Sequence, residues 1–443
     1  MDIEKNGTGQ EDVDEAILQT ASVDPPLVSP LPEAGDITHD SYGALRYRDF
    51  RLLLCGAFLP MFGQQMMTVA FGWELYNRTG SALVLGGVGL AQVIPLILLF
   101  LPAGYAADNV SRKRIVFITQ GVSVLAALGL ASLSFTHGPL LLIYGCLVLL
   151  GGSQSFSSPA SSALVSQVIP EQAFENAMTW RSSVGQVAAV LGPAAGGFLI
   201  GVFQGAGFVY VLSGGAFFIF MVLILFIRVR PQIKPALSNR KLSSLVDGLR
   251  FLGQTQVMLA AITLDLFAVL LGGAVSLLPI FARDILHVGP FGLGWLQSAS
   301  SLGAVCMALV LAHRSAFTHA GRVLLLAVAG FGLATIIFGF SHWFWLSFLM
   351  LFVLGALDNI SVVIRSTLVL VRTPDSMRGR VSAVSSLFIG TSNQLGGFES
   401  GLTAQLFGPI LSVVGGGIGT ILVVALVASF WPEMRRLRTL RES

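Results

Sequence analysis

The chain has 443 residues, of which 54% are hydrophobic and only 11% charged, with a mean hydropathy of +0.79. An average soluble domain carries about a quarter charged residues, so this composition excludes a water-soluble globule. The net charge of +3 is too small to argue for a nucleic-acid partner, and Cys55, Cys146 and Cys306 form no C-x-x-C pair, which leaves neither a zinc site nor a disulfide framework.

Residues 1–45 hold ten acidic residues against one lysine, together with Pro25, Pro26, Pro30 and Pro32. Such a stretch cannot bury enough apolar surface to order itself and predicts a disordered acidic tail. It lacks the basic-then-apolar pattern of a cleaved signal peptide. Long apolar runs follow, and a bilayer core of ~30 Å needs ~20 apolar residues per helix. They predict spans near 50–76, 82–107, 114–136, 139–168, 177–203 and 207–228. A polar linker over 230–256 carries Lys234, Arg240, Lys241 and Arg250. Six more spans fall near 257–285, 290–313, 321–341, 343–371, 379–407 and 410–431, and a basic tail, 433–443, closes the chain. The expectation is an all-α integral membrane protein with twelve transmembrane helices in two pseudo-symmetric six-helix bundles, residues 46–229 and 257–432.

Basic residues test that count, because short loops rich in Lys and Arg stay cytoplasmic. They collect before span one, after each even-numbered span, and at the C-terminus, as in Arg112-Lys113-Arg114 and Arg378-Gly379-Arg380. Only Arg78 and Arg283 fall in alternate loops. The pattern predicts a multi-pass protein of the cell (inner) membrane, surrounded by lipid, with both termini cytoplasmic.

The halves resemble parallel copies. An offset of 204 pairs Pro170-Glu171 with Pro374-Asp375, Gly192 with Gly396 and Gly197 with Gly401; an offset of 205 pairs Gly89 and Gln92 with Gly294 and Gln297. Repeats of this kind place a binding site near the membrane midplane, between the halves.

Ionisable groups at membrane depth are expensive, so they face a wet cavity or a partner. Spans three, six, nine and twelve have none in their interiors, whereas the others supply Glu74, Arg181, Asp265, Asp358, Arg365 and Glu399. Amides follow the same division: Gln64, Gln65, Gln92, Gln154, Gln186, Gln297, Asn359, Asn393 and Gln394 lie outside those four spans, which offer only Gln120, near a membrane face. Four helices are therefore expected to face lipid and eight to surround a polar cavity. Its candidate lining is Gln64, Gln65, Gln154, Asp265, Asp358, Asn359, Arg365, Asn393, Gln394 and Glu399. Asp358 and Arg365 are two helical turns apart, ~10.5 Å, too far for a direct bond. Each needs a partner elsewhere, with Glu399 a candidate for Arg365; a buried pair that only fixes helix packing is the competing reading. Glu74, beside Asn77 and Arg78, is expected at the membrane interface. Carboxylates in such a cavity suit the capture and release of a proton, which makes Asp265, Asp358 and Glu399 candidate coupling groups.

Between spans two and three, Gly104, Asp108, Arg112 and Lys113 fall on the pattern of a loop that resembles the signature of the major facilitator superfamily, with Asn109 and Ser111 in place of the usual arginine and glycine. The resemblance implies a cytoplasmic gate in which Asp108 and Arg112 hold the two halves together. In span five, Gly185 and Gly192-Pro193-Ala194-Ala195-Gly196-Gly197 look like that family's antiporter motif, G-P-x-x-G-G. Phrases around Asp247-Gly248 and Pro374-Asp375 are similar to the branch that contains enterobactin and macrolide exporters.

What the resemblance implies is a secondary active transporter, working by alternating access and exporting a medium-sized organic solute, a siderophore or drug-like molecule, against protons. It implies a monomer with a small-molecule substrate, no metal and no cofactor. An importer or facilitator on the same fold, or a non-transporting receptor, are the alternatives. No H-E-x-x-H, G-x-S-x-G or G-K-[ST] motif occurs, so metalloprotease, serine hydrolase and P-loop chemistry lack their residues.

Overall fold

In a hydrocarbon medium every backbone N–H and C=O must be satisfied within the protein, so apolar runs fold as helices. The computed structural model describes residues 42–229, 249–313, 319–375 and 377–436, apart from the side chain of Asp108. Most of the predicted acidic tail and linker, and the end of the basic tail, lie outside the described residues.

Twelve long helices occur among the described residues. They are α1 (Arg48–Thr79), α2 (Ala82–Asn109), α3 (Arg112–Phe135), α4 (Leu140–Val168), α5 (Phe174–Phe203) and α6 (Gly207–Phe226), then α7 (Gln256–Leu271), α8 (Gly289–Ala312), α9 (Ala320–Gly339), α10 (Phe344–Arg372), α11 (Arg378–Phe407) and α12 (Pro409–Phe430). A short helix, α13 (Pro432–Arg436), follows. Eleven spans are long and apolar enough to cross a bilayer by composition. The twelfth helix, α11, carries Arg378, Arg380, Asn393, Gln394 and Glu399, and it packs on α2, α7 and α12.

Three boundaries differ from expectation. The predicted tail is ordered at its end: Gly43–Arg46 forms a 3-10 turn, and the buried Ala44 donates its N–H to Asn176 Oδ1 at 3.0 Å. The predicted linker ends in helix over 249–254, where Leu252 is buried. Span seven is one crossing but not one regular helix. After Leu271 it continues as a 3-10 segment (Gly273–Leu277), one turn (Leu278–Ile280) and a π-turn (Phe281–Ile285). A Cβ at Gly273 would lie 2.9 Å from the Gly396 carbonyl oxygen, so glycine lets α11 approach there, at the expense of a regular helix.

Packing obeys the internal repeat. In the first half α1 packs on α5 and α6, α3 on α4 and α6, and α2 on α4; in the second, α7 packs on α11 and α12, α9 on α10 and α12, and α8 on α10. Each contact recurs six helices later. Between the halves, α2 packs on α11 and α5 on α8, a pair of contacts that the same shift exchanges.

Because helices alternate in direction, the ends near Arg48, Arg112, Phe174, Arg372 and Arg378 share one face, here the basic face; the ends near Thr79, Ala82, Phe203, Gly289 and Phe407 share the far face. Buried side chains form one large core that draws on both halves at the far face, including Met66, Leu75, Ile200, Phe281, Leu296 and Ala404. Toward the basic face the core divides: Phe50, Val116, Leu164 and Ile224 belong to a cluster of the first half alone, and Met258, Leu324, Ile364 and Val381 to one of the second. The halves are thus joined at the far face and parted at the basic face. Large apolar side chains such as Leu125, Phe218, Leu326 and Leu422, on α3, α6, α9 and α12, remain exposed, as a lipid-facing surface requires.

Candidate functional site

Glycine decides where the halves touch. On α5, Gly192 and Gly196 lie one turn apart and meet α1: a Cβ on Gly196 would sit 2.8 Å from the Met66 carbonyl oxygen. Pro193 and Gly197, one position on, meet α8 of the other half. A Cβ at Gly197 would lie 2.9 Å from Gly294 Cα, and one at Gly294 would lie 2.6 Å from the Pro193 carbonyl oxygen. Gly185 does not share this role, since nothing lies within 4 Å of where its Cβ would be. The repeat-related seam is built alike: Gly396 faces α7 through the Val269 carbonyl oxygen at 2.7 Å, and Gly401 faces α2 through Gly86 Cα at 2.5 Å. Small residues let helices approach backbone to backbone, and here they seal the far half of the interface twice.

Where the α2–α11 seam ends, Gln394 Nε2 donates to Gln92 Oε1 at 2.9 Å. From there a cavity of roughly 620 Å³ extends to the basic face, reaching Tyr105 at the end of α2, Ser162 on α4 and Arg380 at the start of α11. Gln64, Gln92, Gln154 and Gln394 line its depth, with Ser155 and Ser158 along α4. Gly104 belongs to this wall. The helices α5 and α8, held together by the glycines of the second seam, contribute none of its lining residues. Of the eight helices expected to surround a cavity, these two serve as a closed seam.

A second cavity of about 290 Å³ lies between α7, α10 and α11, and Ser386 is common to both walls. Arg365 and Asp265 form an ion pair there, both side chains about one-tenth exposed or less. Arg365 Nε also donates to the Ser361 carbonyl at 3.3 Å. The partner of Arg365 is therefore Asp265, not Glu399, whose carboxylate accepts from the Ser400 hydroxyl at 3.4 Å. Helical spacing reveals which residues share a face but not which helix stands opposite.

Other predicted lining residues lie outside both cavity walls. Gln65 turns to α5, where its Cβ meets the position a Cβ on Gly192 would take, at 2.5 Å. Asn393 is exposed outside both cavities, and Glu399 and Asp358 are partly buried away from them. Asp358 makes no hydrogen bond or ion pair among the described residues, and Asn359 Oδ1 is buried without a hydrogen-bond partner. Glu74, in the last turns of α1 toward the far face, is buried and pairs with Arg78. Arg78 in turn donates to the Leu133, Ser134 and Gly138 carbonyls at the end of α3. Arg181 Nη1 donates to the Ser161 carbonyl at 3.0 Å, fixing α5 to α4.

At the basic face, Lys113 stays within its own half. Its ammonium donates to the Leu225 and Ile227 carbonyls at 2.9 and 2.8 Å, capping α6 where the helix dipole favours a cation. Arg112 Nε is buried without a hydrogen-bond partner. At the far face the halves are tied by side chains as well as glycines. The Tyr76 hydroxyl donates to Asp284 Oδ2, and Arg283 donates to the Tyr76 carbonyl at 3.2 Å with its guanidinium 5.5 Å from the Tyr76 ring centre. Gln405 Oε1 accepts from the Ser81 hydroxyl at 3.1 Å. Arg78 and Arg283, the two basic residues off the loop pattern, thus both cap helix ends at the far face.

Two matched bundles, seamed at one face and parted around a polar chamber at the other, form the architecture of an alternating-access carrier. A family model described as transmembrane secretion effector matches residues 39–439. The chain belongs to this branch of the major facilitator superfamily. It is a multi-pass membrane transporter and not an enzyme. The transporter is 27% identical over 412 residues to the multidrug efflux pump Tap of Mycolicibacterium fortuitum, covering 90% of this chain and 98% of that one. It is 24% identical over 396 residues to the enterobactin exporter EntS of Shigella boydii serotype 4 (strain Sb227), covering 88% and 93%. A crystal structure of the peptide transporter POT superposes with a TM-score of 0.71 at 12% identity, over 89% of this chain and 96% of that one, a likeness of fold alone.

Two residues that sequence reasoning left out of the site belong to the chamber wall: Gln92, whose repeat match to Gln297 marked it, and Arg380, which reads in sequence only as a topological charge.

Proposed function

We propose that this transporter exports a medium-sized organic solute across the cell membrane by proton-driven alternating access, as a monomer with both termini in the cytoplasm. The observation that carries the reading is the chamber of roughly 620 Å³ that opens at the basic face while both glycine seams close the far face. Short basic loops stay cytoplasmic, so a solute loads from inside the cell. The relatives named as an efflux pump and an exporter support the same direction.

Coupling falls to Asp265. A proton arriving on this carboxylate breaks the ion pair and leaves Arg365 a buried cation without a partner, which is strongly unfavourable at this depth. Release of the proton restores the pair. Ser386, in the wall of both cavities, connects that event to the solute chamber.

The test is transport into inverted vesicles from cells that overproduce the protein, with a proton gradient imposed by acidifying the lumen. Solute accumulation that collapses with a protonophore is expected. Equal accumulation with and without the gradient would remove proton coupling, and accumulation only in right-side-out vesicles would reverse the direction.

A further inference from the structure

The smaller cavity, between α7, α10 and α11, has two features that a dry packing gap lacks. One is a row of free hydroxyls. Serines on apolar helices commonly bond back to a carbonyl of the preceding turn. Ser366 does so to Val363 at 3.1 Å, and Ser392 to Ile389 at 3.0 Å. Ser382, Ser385 and Ser386, on the same wall, make no hydrogen bond among the described residues, and their spacing of three and four places them on one face of α11. The other feature is Arg365, more than nine-tenths buried. Its Nε donates to the Ser361 carbonyl and its Nη1 meets Asp265, while the N–H groups of Nη2 have no partner among the described residues. At membrane depth such groups are satisfied by water where there is room for it. A cavity of about 290 Å³ has room for several waters at ~30 Å³ each.

The cavity also leads somewhere. It starts at Met258 near the beginning of α7, Val369 near the end of α10 and the exposed Ser382, one turn into α11, all toward the basic face. It runs past Asp265 and Arg365 to Ser392, ~15 Å further along α11 than Ser382. Asp265 and Arg365 are the titratable side chains of its described wall, and Ser386 is the one lining residue it shares with the solute chamber.

We infer that this cavity is a water-filled inlet through which Asp265 exchanges its proton with the basic face while solute occupies the chamber. The O–H bond of the protonated carboxyl breaks, the proton passes to water and along the serine row, and the carboxylate closes again on Arg365. Solute and proton then travel side by side, and neither must vacate a common site for the other. The proton role rests on the reading of Asp265 as the coupling group; the wetness of the cavity does not.

Two measurements on full-length protein test this. In inverted vesicles, with Cys55, Cys146 and Cys306 replaced by serine, Ser382→Cys and Ser385→Cys are treated with membrane-impermeant methanethiosulfonates of either charge. Both are expected to react at least about tenfold faster than Leu422→Cys on the lipid-facing side of α12, because the reacting thiolate forms only in water. Rates equal to that of Leu422→Cys mean a dry or lipid-filled cavity, and a slow Ser385→Cys beside a fast Ser382→Cys means an inlet that stops short of the pair; either overturns the inference. Next, infrared difference spectra follow the Asp265 carboxyl band, recognised by its absence from the Asp265→Asn, Arg365→Met chain. The chamber is plugged by pyrenyl maleimide on Ser158→Cys. The band is expected to titrate alike with and without the plug; loss of its titration on plugging overturns the separate route. If no such band appears at any pH, the coupling reading falls and takes the proton role with it, even where both cysteines react fast. A band that titrates beside slow cysteines sinks the inlet alone.

Discussion

Substituting Gly401 by alanine tests the claim that the far-face seam is a conformational switch. The new Cβ would lie 2.5 Å from Gly86 Cα, 2.7 Å from the Ala82 carbonyl oxygen and 2.8 Å from the Gly86 nitrogen. All three are backbone atoms, so no side chain can swing aside. Overpacking of this kind costs about 1–3 kcal/mol. The clash exists only while α2 and α11 are closed at the far face, so the cost falls on one state of the cycle and shifts the equilibrium by about 5- to 150-fold. A protein resting about 1% far-open would move to between roughly 5% and 60%. Electron–electron double resonance between spin labels at Leu83 and Leu406, both exposed at far-face ends of these helices, reads that population directly once Cys55, Cys146 and Cys306 are replaced by serine. Gly145→Ala is the control, because nothing lies within 4 Å of its Cβ position and alanine there favours the helix by about 1 kcal/mol. An unchanged distance distribution in Gly401→Ala, or the same displacement in Gly145→Ala, refutes the reasoning. Gly86→Ala, with its Cβ 2.9 Å from Gly401 Cα, repeats the test from the opposite helix.

Asp265→Asn strands Arg365 as a buried cation and is expected to destabilise the protein by about 3–5 kcal/mol, with Arg365→Met in the same chain restoring much of it; thermal unfolding of the single and double variants checks this. The single variant should also lose gradient-driven accumulation while retaining solute counterflow, which a purely structural ion pair would not separate. Tyr76→Phe removes the hydroxyl bond to the half-exposed Asp284, worth about 1 kcal/mol, and should raise the far-open fraction about fivefold in the same resonance experiment. Lys113→Ala uncaps α6 and is expected to lower stability by about 1 kcal/mol without altering that fraction, because its bonds do not cross between the halves.

Much of this architecture is legible in sequence because lipid imposes a severe rule on backbone polar groups. Even α11, too polar to stand out by hydropathy, is recoverable from the register that pairs Gly192 with Gly396 and Gly197 with Gly401. The same glycines turn out to face equivalent neighbours, α1 or α7 and α8 or α2. Side-chain direction is harder. Adjacent residues on a helix point about 100° apart, so Gln64 enters the chamber while Gln65 packs on α5, and composition cannot distinguish them. The partner of Arg365 was ambiguous for a related reason: Asp265 and Glu399 sit on different helices, and only packing chooses between them. The break in α7 had its signal in Gly272-Gly273, but such a dipeptide is commonplace among fifty glycines.

The two seams stand on opposite sides of one pseudo-symmetry axis. A rigid tilt of one bundle against the other, about a line in the membrane plane that runs from one seam to the other, loosens α2 from α11 and α5 from α8 at the far face in the same movement, so neither can gape while its counterpart stays shut. Leakage of protons or small ions through a half-opened far face is thereby suppressed by geometry, and damage to either line of glycines should be felt at both.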